Sequence, residues 1–378
     1  MKSCSNYSIS IFTIIFVLLS NLNGFAQNDS LIEDYSFYKR KFKLNALVVG
    51  RYTTSLNKNI DYLGQHYTDE DVVSNSFEMQ YARLSTTFFI NDRISTSLMV
   101  NLADFKKEQV SGKVLENAFI TYYHNSFLKL RFGQFRPFFG LEDLHPFQLD
   151  NSYAWSRQYS LFGRNGWQSF QIGAAAFGSL KSNIFSYYLT VYNGNNKNII
   201  SDNDSSKNLT LRLEYMPLPV LKIGLNGGKA SYHGQKARAY GIDGQLQQAL
   251  GNRFDLDINA EYKKGTNFEA FRLSEDPLPN LDNYTMEGFY FLYSLQYRLQ
   301  APRLRALELS FRQEYLDKNT AVEDDEINTY VPMLSLVFAG SYDAKLSLVG
   351  VINDYKHNLP GTSQYDSSKM LVQFQVAY

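Results

Sequence analysis

The feature that most limits what this chain can fold into is an alternation of apolar and polar residues, repeated segment after segment from residue 42 to the last. Phe42, Leu44, Ala46, Val48 and Tyr52 share one phase, with Lys43, Asn45 and Arg51 in the other. The pattern returns at Leu209/Leu211/Leu213/Tyr215, at Phe289/Phe291/Tyr293/Leu295/Tyr297 and at Met370/Val372/Phe374/Val376/Tyr378. A period of two puts successive side chains on opposite faces of a β-strand, so each run meets two different surroundings. With the less regular stretches at 82–90 and 114–123 included, about sixteen strands are predicted.

Charge decides which surroundings these are. The apolar phase of the regular runs contains no Lys, Arg, Asp or Glu, whereas the other phase carries Lys129, Arg131, Arg212, Lys222, Asp243, Asp255, Asp257, Glu261, Glu308, Arg312 and Lys345. A basic residue on a lipid-facing strand position at mid-bilayer costs roughly 2–4 kcal/mol, and its absence there is the mark of a membrane barrel. A soluble sandwich hides its apolar faces inside; here they are expected outside, around a wet lumen, because so many ionised groups are not expected in a dry core. The connections agree: short turns, such as 91–92, 178–179 and 251–252, alternate with long polar segments at 53–75, 104–113, 137–165, 193–207, 229–237, 263–285, 316–326 and 354–367. Of the nine prolines only Pro332 falls inside a predicted strand. The expected fold is all-β, a transmembrane antiparallel up-and-down β-barrel with short periplasmic turns and long extracellular loops.

The first residues belong to a different kind of segment. Lys2, the apolar run 9–19 and the small residues Gly24 and Ala26 form the pattern of a secretory signal, predicted to be removed after residue 26. The apolar run is too short to span a bilayer as a helix. Residues 27–40 are read as a periplasmic segment and 41–378 as the barrel. Cys4, the single cysteine, leaves with the signal, so no disulfide framework is expected. Removing Lys2 leaves 36 basic residues against 37 acidic ones, and this balance gives no footprint for nucleic acid. A terminal aromatic, Tyr378, closing the last strand resembles the signal read by outer-membrane assembly machinery.

Catalytic patterns are lacking. The five histidines are scattered through turns and loops with no pair at metal-ligand spacing, and no Gly-x-Ser-x-Gly elbow occurs. Gly227-Gly228-Lys229 lacks the first glycine and the hydroxyl residue of a phosphate-binding loop. No enzyme activity and no cofactor are expected. Two acidic clusters, Asp202-Asn203-Asp204 and Glu323-Asp324-Asp325-Glu326, suit either a solvated loop or divalent ions bridging lipopolysaccharide.

The most informative constellation is the third long connection. The strand before it carries Lys129 and Arg131 on its polar face and runs through Arg136 into a loop holding Trp155, Arg157, Arg164 and Trp167. Such a length exceeds what an exposed connection needs, and a loop of this kind can fold inward and narrow a barrel. Residues 137–165 are the candidate constriction, with Lys129, Arg131, Arg136, Arg157, Arg164, Arg212 and Lys222 as its basic lining. Guanidinium and ammonium groups at a narrowing attract anions; the alternative is that these arginines only pin the loop to acidic wall residues. Because the inward acids Asp243, Asp255, Asp257 and Glu261 come later in the chain, an acidic wall facing the basic one is expected.

Gly133-Gln134-Phe135-Arg136-Pro137, Ser156-Arg157, Arg164-Asn165-Gly166, Tyr192-Asn193-Gly194 and Arg212 within its alternating strand resemble the phosphate-selective porin O and P family of Gram-negative outer membranes. That resemblance implies a sixteen-stranded, trimeric barrel passing small anions through a basic constriction. The chain departs from the family pattern at Pro137, one residue early after Gly-Gln, and at Arg83, where a pair of arginines is reduced to one. The expected function is passive diffusion of small hydrophilic solutes, with anions or phosphate preferred. Lipid, lipopolysaccharide and further copies of the chain are the expected partners, and the bacterial outer membrane the location. The competing reading is an adhesin or receptor barrel whose loops bind ligands over a closed lumen.

Overall fold

The computed structural model describes residues 41–378 apart from 69–70, 107–112, 146–150, 181–182, 200, 203–204, 233 and 340–342. The predicted signal peptide, the 27–40 segment and the Asn203-Asp204 pair lie outside the described residues. Sixteen strands follow in order: β1 (Lys41–Ser55), β2 (Asn75–Asn91), β3 (Ile94–Asn101), β4 (Leu115–Tyr123), β5 (Lys129–Phe135), β6 (Gln171–Leu180), β7 (Phe185–Tyr192) and β8 (Asn208–Leu218). The second half comprises β9 (Leu221–Tyr232), β10 (Gln235–Leu250), β11 (Phe254–Thr266), β12 (Thr285–Arg298), β13 (Ala306–Asp317), β14 (Ile327–Val337), β15 (Ala344–Tyr355) and β16 (Ser367–Ala377). Each pairs antiparallel with its sequence neighbours, and β1 also pairs with β16, Val48 opposite Val376, so the sheet closes on itself. Closure removes both sheet edges, which is what allows a sheet to sit in lipid.

The alternation read from the sequence becomes an outside and an inside. Along β8, Leu209, Leu211, Leu213 and Tyr215 are exposed while Asn208, Thr210, Arg212 and Glu214 are buried. Two irregularities explain the blurred phase of the early strands. Between β1 and β2 the register shifts at Val49/Gly50, so exposed Phe77 and Met79 and buried Tyr81 and Arg83 all have odd numbers. A second shift between Met99 and Val100 turns both Glu116 and Asn117 toward the lumen side of β4. An extra residue in one strand reverses the faces of all that follow, and a strict period-two count misses it.

Two expectations change. The predicted long loop at 229–237 is a tight hairpin: β9 extends to Tyr232 and β10 begins at Gln235, with Arg238 opposite Lys229. Its charged residues lie in the outward phase, exposed, and read as loop when charge alone is followed. Pro332 does lie within a strand, paired with Phe311 of β13. On its other side the ladder to β15 skips from Tyr330–Ile352 to Met333–Val349, and Gly350 makes room for the ring. The missing N–H thus falls where no ladder bond is asked of it.

Candidate functional site

In its described residues, 136–145 and 151–170, the connection from β5 to β6 lies across the inside of the barrel. It carries a short helix α1 (Leu141–Leu144) and a longer one α2 (Arg157–Arg164), capped by Ser156, whose Oγ accepts from Tyr159 N. Its backbone reaches inward-facing side chains of distant strands: Gly140 N donates to Asn226 Oδ1 of β9 at 3.0 Å and Leu141 N to Glu261 Oε1 of β11 at 2.9 Å. Gly140 has φ 105°, and any Cβ there would strike Glu261 and Lys263, so glycine is required for this approach. Arg157 spans three strands, donating from its backbone to Glu314 (2.6 Å), from Nε to Thr329 Oγ1 (2.7 Å) and from Nη2 to Asn353 Oδ1 (2.7 Å). Arg312 of β13 reaches back to Ser152 Oγ and Ala154 O, both at 2.6 Å. Inside the loop, Glu142 receives both N–H and O–H of Ser156, tying α1 to α2.

Apolar contacts complete the docking. Phe139, Leu161, Phe162 and Trp167 form one cluster with Ala230, Ala239, Met286 and Leu316 of the wall, and Leu141 joins another with Tyr290, Leu292, Val331, Val349 and Leu371. The lumen side of β9 to β16 is therefore filled, contrary to the expectation of a wholly wet interior. Charges survive there because they are paired: Lys263 with Glu261 at 3.0 Å, Arg312 with Glu314 at 2.8 Å and Lys345 with Glu308 at 2.5 Å, all nearly inaccessible. A buried charge is tolerated when its partner and hydrogen bonds replace water.

This pairing also corrects the opposed-wall picture. Arg212 does not face Asp243 across the lumen; the two lie two strands apart and bond directly, Nη1 to Oδ2 at 2.5 Å, with Glu214 and Asn226 completing the guanidinium's shell. Gly224, on the strand between them, leaves the space that the guanidinium fills. Glu261 is held by Lys263, and Asp255 by Arg298. Asp257 accepts from Gln247 and Asn259. Lys222 sits 3.3 Å from His145, and Lys129 lies over the Phe177 ring. In the acidic outer loop, Asp324 and Glu326 are drawn to Lys356, and Asp202 to Lys207.

Open space remains on the other side, between the loop and strands β1 to β5. A cavity of about 580 Å3 toward the turn end is lined by Arg83, Arg131, Arg136, Phe119, Phe138 and Asp143, among others. A second, of about 390 Å3 toward the loop end, is lined by Arg83, Lys113, Arg136, Arg164 and Lys197 against Asp104 and Glu116. Arg83 and Arg136 belong to both. Arg83 is neutralised by Glu116 at 2.6 Å and Lys197 by Asp104 at 2.8 Å. Arg131 has Thr121 Oγ1 at 3.3 Å and aromatic rings around it, Phe119 at 4.1 Å and Phe177 at 5.1 Å. The Arg136 guanidinium lies over both Trp155 and Phe170, at 4.5 and 4.7 Å, and its buried Nε has no acceptor. Beside it, burial pushes the Asp143 carboxyl up to about 7 despite the pull of Arg136 and Lys263.

A family model described as phosphate-selective porin O and P matches residues 53–269, more than half of the chain. The chain belongs to that family. It is a porin of the bacterial outer membrane, a channel for solute diffusion, and family and fold alike are those of a channel and not of an enzyme. Solved structures agree on the architecture. The outer-membrane channel DcaP of Acinetobacter baumannii aligns with a TM-score of 0.58 at 12% identity, covering 91% of this chain and 99% of that one. The anion-selective porin from Comamonas acidovorans gives 0.53 at 10% identity, with 90% and 100% covered. OmpT of Vibrio cholerae in its trimer form gives 0.53 at 11%, with 90% and 99% covered. At such identities the likeness is one of fold. No curated protein sequence matches.

Of the residues singled out from the sequence, this porin brings Arg131, Arg136 and Arg164 to the open space, and places half-buried Arg157 and buried Arg212 in networks away from it. Lys263, Trp155 and Phe170 matter as well and were not among the site residues. Aromatic residues in the polar phase of a strand, Phe119, Phe135 and Phe177, were the available sign of an unusual lumen.

Proposed function

We propose that solutes cross this porin along the β1 to β5 wall, through the two cavities that share Arg83 and Arg136, and that small anions are preferred. The observation that carries this reading is the charge balance of the lining: five basic residues, of which Arg164 is paired with Glu269, against Asp104 and Glu116 in the outer cavity, with Arg131 and Arg136 in no ion pair among the described residues and Asp143 beside Arg136. Cations at a narrowing raise the local concentration of anions and lower the barrier to their passage. The loop 137–165 acts as the constriction, and Arg157 serves as its anchor instead of an ion ligand. In this reading some arginines line the path and others pin the loop.

A homotrimer is part of the same reading, supported by the family and by the trimeric form of the OmpT relative in fold. So is export with cleavage after residue 26, which leaves a chain without cysteine. That makes a direct test of the route available. A cysteine at Ser85, lining the turn-end cavity, is expected to react with a charged thiol reagent and reduce the current; one at Ser310, buried on β13, is expected to stay silent. The reverse pattern would place the route elsewhere. The absence of current in folded barrels would favour the receptor reading, which the filled half of the lumen supports.

A further inference from the structure

We propose that the turn-end cavity recognises anions with a flat apolar body, aryl carboxylates as a class, in preference to inorganic phosphate. This deepens the route proposed above and rests on it. The first observation is the character of the lining: beside Arg131 and Arg136 stand Phe119, Phe135, Phe138, Leu144 and Met99. A path built only for hydrated inorganic ions gains nothing from rings and aliphatic side chains on its inner face.

The second is how the two arginines are held. Phe119, Phe138 and Phe177 surround the Arg131 guanidinium at 4.1, 5.3 and 5.1 Å, and Trp155 and Phe170 lie at 4.5 and 4.7 Å from that of Arg136. Stacking engages the flat faces of a guanidinium and leaves the N–H groups at its edge for a ligand. No described residue accepts a hydrogen bond from Arg136, and its Nε is buried without a partner. A carboxylate fits such an edge with two parallel bonds.

Phosphate fits less well. Its charge is spread over several oxygens that all need donors once water is stripped, and here much of the surrounding surface is carbon. An aryl carboxylate asks for donors at one end only, and its ring can lie against Phe119, which is half-buried and faces the cavity. Ring-on-ring contact then adds to the charge-assisted bonds.

The test is chloride current through single channels, with benzoate, acetate or inorganic phosphate added to the turn side. Benzoate is expected to halve the current at a concentration roughly tenfold below acetate, with phosphate no better than acetate. Arg136→Lys keeps the charge but loses the planar stack, and the benzoate advantage over acetate is expected to shrink. Phe119→Leu is expected to bring benzoate and acetate together even if the lysine variant does not fold. Equal block by benzoate and acetate, or strongest block by phosphate, in channels that carry chloride would overturn this proposal and leave the route intact. Folded barrels carrying no current would remove the route, and the proposal with it.

Discussion

The residues that decide this porin's behaviour are its arginines, and their roles are set by what sits opposite each. Arg212 and Arg312 have carboxylates within 2.5–2.9 Å and serve the wall; Arg131 and Arg136 have rings, and in the proposed route they meet the solute. Arg83 stands between, lining both cavities but held by Glu116. Glu116→Gln is therefore expected to release one positive charge into the path and raise chloride preference, read as a reversal potential shifted further toward chloride. Asp143 makes the lining pH-dependent. Its carboxyl, raised by burial to about 7, is neutral below that value and negative above it, so anion preference is expected to grow as pH falls from 8 to 6. Asp143→Asn should abolish that slope. His145 does not interfere, because burial and the nearby Lys222 hold its imidazole down at about 4, keeping it neutral throughout.

At the scale of elements, the inward loop and the strands were legible to different degrees. The strands could be read because lipid tolerates no charge on one face, and the rule shows directly as alternation. The bulges at Gln80 and Glu116 and the hairpin joining β9 to β10 could not, because a phase slip looks like noise and outward charge near the rim looks like loop. The loop's length and its tryptophans suggested an inward fold, yet nothing in the sequence said that Arg157 would reach Thr329 and Asn353, some 170 to 200 residues away. Long-range partners have no local signature. The docking itself is testable. Arg157→Ala removes two charge-assisted side-chain bonds, each worth about 1.5–3 kcal/mol, and is expected to give noisier openings with larger conductance. Arg312→Met, which leaves Glu314 buried without its cation, should cost about 3–5 kcal/mol and loosen the loop further, seen as faster proteolysis of the folded barrel.

For the whole molecule, sixteen strands closed by β1 and β16 give a wall, and the 136–170 connection divides its interior into a filled side and an open side. The filled side holds paired charges and apolar clusters; the open side holds the uncompensated arginines. In the proposed reading this asymmetry makes the protein an anion-preferring diffusion channel. The most direct measurement is the reversal potential of refolded channels in a planar bilayer across a KCl gradient, for the unaltered chain and for Arg131→Gln/Arg136→Gln. Stable openings with a chloride-favouring potential that moves toward potassium in the double variant are predicted. Openings whose selectivity ignores both arginines, or barrels that fold and never conduct, would contradict it.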